Sequence, residues 1–154
     1  VVVTRLDHDA NVRPWVQAAE AVGALPRFVD FDPTTGELSA QDIAAHLSPR
    51  TRLVAVTAAS NLIGTMPDIR AIAALIHEAA EALVYVDGVH FTAHESVDLR
   101  ASGADFWACS PYKVLGPHCG VVAADPGLLE ADIGIDQQHD CGAHVDARRR
   151  QEAE

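Results

Sequence analysis

The chain has 154 residues, enough for one domain with its own core, and 49% of them are apolar, a balance that excludes a disordered chain. A net charge of -11 repels phosphate backbones, so no nucleic acid partner is expected; no apolar run approaches the roughly 20 residues of a membrane helix, so no membrane is expected either. The chain starts at Val1 with its only methionine at Met66, which implies a piece of a longer protein, and Cys109, Cys119 and Cys141 form an odd set without framework spacing, which suits a reducing cytoplasm.

Val1 to Thr4 is a short β-branched run and reads as a strand. Asn11 to Val22 follows as a helix with Trp15, Ala18, Ala19 and Val22 on one face, stopped by Gly23. Pro26 to Phe31 reads as a second strand, and Asp32-Pro33-Thr34-Thr35-Gly36 has turn chemistry. Ser39 then caps a short helix to about Leu47, with Asp42 placed for a capping box.

Arg52 to Ala59 is an apolar run of the kind found in strands buried on both faces. After a loop from Ser60 to Met66, Pro67 and Asp68 suit the first turn of a helix that carries Ile69, Ile72, Ala73, Ile76 and Ala80 as a stripe. Leu83 to Val86 is another buried strand, ending at Asp87-Gly88. Asp105 to Cys109 is a strand that delivers Ser110 to Lys113, and Gly120 to Ala124 is a further strand before a short helix near Pro126 to Ala131. Beyond Asp132 the periodicity ends, so 133–154 is expected to be a poorly ordered tail after a domain of 1–132. His139, Cys141 and His144 lie in it at a spacing that fits no strong zinc pattern, and no metal is expected.

Strands alternating with helices predict a three-layer α/β/α fold around a mostly parallel sheet with right-handed crossovers. Ligands bind such sheets just past the carboxyl ends of the strands. The polar residues fall there: His8 after the first strand, Asn61 after the third, Asp87 and His90 after the fourth, Ser110 and Lys113 after the fifth.

Lys113 is the only lysine, beside ten arginines, in a chain whose composition otherwise favours arginine. A lysine kept under such bias is read as one that arginine cannot replace, or else is one leftover surface lysine. Pyridoxal phosphate makes demands that this set can meet. A lysine amine forms a Schiff base with the aldehyde, for which Lys113 is the candidate. A carboxylate holds the pyridine nitrogen protonated, and Asp87 at a buried strand end can stay ionised there; before Gly88 it equally suits a turn. Asn61 is placed to donate to the phenolic oxygen, or is a turn asparagine before Gly64. His8 is placed to stack on the ring, or serves structure alone. Gly116 lets the backbone pass close to something bulky.

In this order the segments resemble the class V aminotransferase fold in its cysteine desulfurase-like branch. The matching stretches are Leu6-Asp7-His8-Asp9-Ala10-Asn11-Val12-Arg13-Pro14-Trp15, Ser60-Asn61-Leu62-Ile63-Gly64-Thr65, Val86-Asp87-Gly88-Val89-His90, Val97-Asp98, Gly103-Ala104-Asp105-Phe106 and Ser110-Pro111-Tyr112-Lys113 with Gly116-Pro117. The resemblance covers about residues 1 to 127 and implies the large domain of a fold type I pyridoxal-phosphate transferase. It implies that His8 stacks on the ring and Val89 packs on its other face. Asn61 and His90 would approach the phenolic oxygen and Asp87 the ring nitrogen. Ser110 would bind the phosphate, Tyr112 would reach it through its hydroxyl, and Lys113 would carry the cofactor. It also implies an amino-acid substrate and a homodimer.

Members of the branch that release sulfur from cysteine commonly have Gln where His90 stands and His where Tyr112 stands. That leaves carbon–sulfur cleavage, transamination and a related lyase reaction all open. An inactive fragment or pseudoenzyme of the family is the rival of another class. A nucleotide-binding α/β module ranks below both, since neither G-x-G-x-x-G nor G-x-x-x-x-G-K-[ST] occurs.

Overall fold

A computed structural model of the chain describes residues 1–130. The tail expected from 133, with His139, Cys141 and His144, lies outside the described residues. Six strands form one sheet: β1 (Val2–Thr4), β2 (Arg27–Val29), β3 (Leu53–Thr57), β4 (Leu83–Asp87), β5 (Phe106–Cys109) and β6 (Val121–Ala124). Their spatial order is β2-β1-β3-β4-β5-β6. Every neighbouring pair is parallel except β5 and β6, which run antiparallel. The sheet is therefore mostly parallel, as the alternation of strands and helices predicts.

Alternation along β4 separates the two faces of the sheet. Val84 and Val86 are fully buried and join Val2, Val29, Val54, Val56 and Trp107 in the main core. Against them pack Ile43 of α2 (Ala40–Ala44) and Ile69, Ile72, Ala73 and Ile76 of α3 (Ile69–Ala79). Each buried valine and isoleucine among them contributes about 1.5–3 kcal/mol by leaving water. Tyr85 points to the other face, where Trp15 of α1 (Arg13–Ala21) meets it edge-on, 4.9 Å between ring centroids. Tyr85 also stacks on Phe106, its partner across the ladder, at 6.0 Å. Helices thus lie on both faces.

Several local expectations shift. The helix expected from Asn11 begins at Arg13, because Asp9–Asn11 forms a tighter 3-10 turn first. Its expected apolar face is only partly used: Ala19 is buried and Trp15 half-buried, whereas Ala18 is exposed and Val22 is 80% exposed. Asp68 is not in the first turn of α3; it caps it, accepting from the Ala71 N–H at 3.0 Å. Ala80 follows the helix as its C-terminal cap in an extended conformation, half-buried rather than part of the fully buried stripe. Ser39 and Asp42 do form the reciprocal capping box that opens α2. Short helices α4 (Leu99–Ser102) and α5 (Pro126–Glu130) complete the order, with single 3-10 turns at Phe91–Ala93 and Pro111–Val114.

Candidate active site

The ladder aligns three strand ends. Thr57 lies opposite Asp87, and Asp87 opposite Ala108. The chain leaves each strand just beyond that row, so the segments after β1, β3, β4 and β5 converge on one edge of the sheet. There they enclose a cleft of about 170 Å3. His8, Asn61, Asp87 and Val89 line it, together with His90, Ser110, Tyr112 and Lys113. All eight residues singled out in the sequence are thus brought together. Asp87 and Lys113 face one pocket, not opposite sides of the sheet. A larger and shallower depression, about 710 Å3, lies around Pro49, His77, Glu81 and Asp105, where β4 and β5 begin. It holds no lysine and none of these eight residues.

The hydrogen bonds show which side chains remain free for a ligand. The loop after β3 is fastened by Ser60: its hydroxyl accepts from the Leu62 and Ile63 N–H groups, and its backbone closes on Gly64 and Thr65. Gly64 takes the left-handed conformation that this tight loop needs (φ 77°). Asn61 is not needed to hold the turn, and its side-chain amide has no partner among the described residues. Asp87 does hold a turn, but with one oxygen: Oδ1 accepts from the Val89 N–H at 2.9 Å. No other hydrogen bond among the described residues reaches that carboxylate, which leaves Oδ2 without a partner there. Ser110 opens the 3-10 turn over Pro111–Val114 without using its hydroxyl as a cap. His90 likewise opens its turn with no side-chain bond. Its ring lies 4.8 Å from that of His94.

Lys113 is exposed and makes no ion pair among the described residues. The turn that carries it is tightly built. Gly116 donates its N–H to the Pro111 carbonyl at 2.8 Å, and a Cβ at Gly116 would meet Pro111 at 2.8 Å. The bulky neighbour of Gly116 is therefore Pro111 of the same loop. Leu115, between them, is held at φ 64°, in the left-handed region that leucine disfavours. Tyr112 stacks on His118, 4.6 Å between centroids and 7° between planes.

His8 is anchored by its own ring. Nδ1 accepts from the Ala10 N–H at 3.1 Å, so in the neutral imidazole the proton is on Nε2. Of the two described cysteines, neither lines the cleft. Cys109 is half-buried; burial, and then Cys119, push its thiol up.

Two features of the site escaped the sequence. Thr57 and Ala59 line the cleft, and Thr57 donates its hydroxyl to the Ala59 carbonyl at 2.8 Å. Asp7, beside His8, turns out to be an enclosed carboxyl; burial, with Asp87 adding to it, pushes it up to about 7 against opposing hydrogen bonds. An acid directly after an apolar strand and next to a cleft histidine was the available signal.

The family model for aminotransferase class-V matches residues 1–131. The chain belongs to the class V aminotransferase family. Within this family it is similar to the aminotransferase-like protein FGM3 of Gibberella zeae, at 38% identity over 123 residues, 79% of this chain and 31% of that protein. It is also similar to the cysteine desulfurase of Klebsiella pneumoniae, at 37% identity over 131 residues, 84% of this chain and 32% of the relative. Among solved structures it resembles the Escherichia coli cysteine desulfurase CsdA in its S-sulfonic acid form, with a TM-score of 0.77 and 30% identity. That match covers 84% of this chain and 32% of CsdA. The chain thus spans about a third of the length of the class V aminotransferase relatives it matches. The six-stranded, mostly parallel sheet is that of the fold type I enzymes.

Proposed function

We propose that this chain is the cofactor-holding part of a pyridoxal-phosphate enzyme of the cysteine desulfurase-like kind that acts on an amino acid. One observation carries the reading. The only lysine amine of the chain and an open carboxylate oxygen share one cleft with donors that have no partner among the described residues. This donor set fits the cofactor. Asp87 Oδ2 would hold the proton of the pyridine nitrogen, and Lys113 Nζ would hold the aldehyde end. Asn61 and His90 would meet the phenolic oxygen, Ser110 and Tyr112 the phosphate. His8 and Val89 would take the two ring faces. The cleft volume is below the about 300–1,000 Å3 usual for small-molecule sites, which suits a ring end with the remainder projecting outward.

When bound, pyridoxal phosphate supplies an electron-withdrawing ring that stabilises negative charge at the α-carbon of an amino acid. Lys113 Nζ would be the base that accepts the proton leaving that carbon. Asp87 would hold the ring nitrogen in its cationic form by offering it a carboxylate. Cleavage of the carbon–sulfur bond of cysteine is the reaction that the desulfurase relatives support. Transamination is the one that the aminotransferase-like relative supports. A homodimer and a cytoplasmic setting belong to the same proposal.

The test is chemical trapping. Pyridoxal phosphate is added to the chain and to its Lys113→Ala form, visible spectra are compared, and borohydride is added before peptide mapping. A pyridoxyl group fixed on Lys113, and a visible band lost in Lys113→Ala, are expected. Identical spectra for the two proteins would refute the assignment.

A further inference from the structure

Asp7 makes no contact with the cleft's open volume, yet its carboxyl joins three of the segments that build it. The Thr4 hydroxyl, at the end of β1, donates to Oδ2. The Asn11 side-chain amide, in the 3-10 turn, donates to Oδ1 at 2.6 Å. The Thr57 backbone N–H, at the end of β3, also approaches it and favours its ionised form. His8 sits between Asp7 and the turn, and its own Nδ1 accepts from the Ala10 N–H within that turn. On the other side, Thr57 is the ladder partner of Asp87, and the next N–H, that of Ala58, donates to the Asp87 carbonyl at 2.9 Å. One carboxyl therefore ties the histidine wall of the cleft to the aspartate wall.

The network continues outward. Asn11 Oδ1 accepts from Trp15 Nε1 at 3.2 Å, and Trp15 packs edge-on against Tyr85 of β4. The amide of Asn11 is thus oriented by two neighbours: its oxygen faces the indole N–H, and its nitrogen must face Asp7. The backbone N–H of Thr57 and the Asn11 nitrogen are obligate donors, and the Thr4 hydroxyl can donate too. When ionised, Asp7 accepts on both oxygens; an Asn there could keep its oxygen on Asn11 only by turning its nitrogen on the Thr4 hydroxyl, which would then have to accept instead of donate.

We propose that Asp7 is a positioning residue that sets His8 against Asp87 and so fixes the spacing of the two groups that grip the ring. The inference rests on the pyridoxal-phosphate reading, and the same geometry supplies a test that separates the two. Asp7→Asn turns an amide nitrogen onto the Thr4 hydroxyl, which must give up its donated bond and accept instead. Adding Asn11→Asp restores the complement: the nitrogen at 7 donates to the carboxylate at 11, which still accepts from Trp15, while the oxygen at 7 serves Thr4 and Thr57.

The experiment compares the parent chain, Asp7→Asn, Asn11→Asp and the double variant by two measurements. The first is the imidazole 15N resonance of His8, which reports whether Nδ1 still accepts a hydrogen bond. The second is retention of pyridoxal phosphate by visible absorbance. Each single change is expected to shift the His8 resonance and to weaken cofactor retention by about tenfold or more, the equivalent of one lost charge-assisted hydrogen bond. The double variant is expected to recover both. Thr4→Val, which removes one donor and keeps its shape, gives a smaller His8 shift and keeps the test decisive should Asp7→Asn fail to fold. An unmoved His8 resonance in every variant, or a double variant no better than the sum of the singles, would overturn the proposal. If no protein, parent included, retains pyridoxal phosphate while the His8 pattern breaks and recovers, the cofactor reading fails and the positioning role stands.

Discussion

Gly88 follows Asp87 at the carboxyl end of β4, and the structure gives it no room for a side chain. A Cβ built there would lie 2.1 Å from Trp107 Nε1 and 2.2 Å from its Cε2. Trp107 cannot swing away, since it is 5% exposed and packed into the main core, with Phe91 edge-on to it at 5.7 Å. Its Nε1 also donates to Thr92 Oγ1 at 3.1 Å. Gly88→Ala must therefore push either the indole or the backbone. Overpacking of this kind costs about 1–3 kcal/mol. Losing the indole bond adds about 1 kcal/mol, for a total of about 2–4 kcal/mol. Guanidinium unfolding of the two proteins measures it directly. A backbone shift also drags Asp87, whose Oδ1 is held by the Val89 N–H two residues on, so cofactor retention should fall in parallel. Combining Gly88→Ala with Trp107→Leu, which removes the clashing ring, should cost less than the two changes summed. A Gly88→Ala protein within about 0.5 kcal/mol of the parent would refute the reasoning, because that is the range of a surface change.

Leu115 is exposed and held at φ 64°, so Leu115→Gly should stabilise the chain by about 0.5–1 kcal/mol in the same unfolding assay; the relief of left-handed strain is partly offset by the greater freedom of glycine when unfolded. Asp7 makes stability depend on pH in an unusual direction. Burial raises its folded value to about 7, above the about 3.9 of an unfolded aspartate, so the folded state binds the proton more tightly and stability falls as pH rises from about 4 to about 7. The fall has an upper bound of about 4 kcal/mol, three units at about 1.4 kcal/mol each, and Asp7→Asn should remove it. Unfolding curves for Asp7→Asn and the parent that change identically between pH 5 and pH 8 would exclude this role.

The fold was legible because a buried parallel sheet writes itself plainly. Arg52 to Ala59 and Leu83 to Val86 are apolar on both faces, and the Ile69–Ile72–Ala73–Ile76 stripe has nowhere to go except onto them. The capping box at Ser39 was legible for the same local reason: both of its hydrogen bonds are made within four residues. Less legible were features set by tertiary partners. The apolar face of α1 could be read, but not that Val22 would stand exposed. The antiparallel direction of β6 depends on a loop that doubles back through Gly116 against Pro111, and no residue of the strand itself encodes it. Asp7 was overlooked because an acid beside Asp9 on a loop looks like solvent-facing charge. Only the approach of Thr4, Asn11 and Thr57 makes it an interior group.

The candidate site also shows how a turn residue can be told from a ligand-binding one. Asn61 before Gly64 and Asp87 before Gly88 each have the sequence of an ordinary turn, and turn duty alone would explain them. What separates the readings is which atom closes each turn. At Asn61 the closing acceptor is the Ser60 hydroxyl, so the asparagine amide is surplus to the loop. At Asp87 the turn consumes one carboxylate oxygen and leaves the other unbonded, in a residue that lines the same cleft as Lys113. At Ser110 the turn closes through the backbone, Lys113 N–H to Ser110 carbonyl at 3.0 Å, and the hydroxyl is again surplus. Three unrelated strand ends have each satisfied their backbone with other atoms and kept a polar side chain in reserve. Backbone groups take partners of necessity, so side-chain donors and acceptors left over on one edge are the ones a ligand there could use. A bound ligand of matching polarity would use all three. The amine of Lys113 in the same cleft as the carboxylate of Asp87 suits the ligand proposed above, with an electrophilic carbon at one end and a basic ring nitrogen at the other.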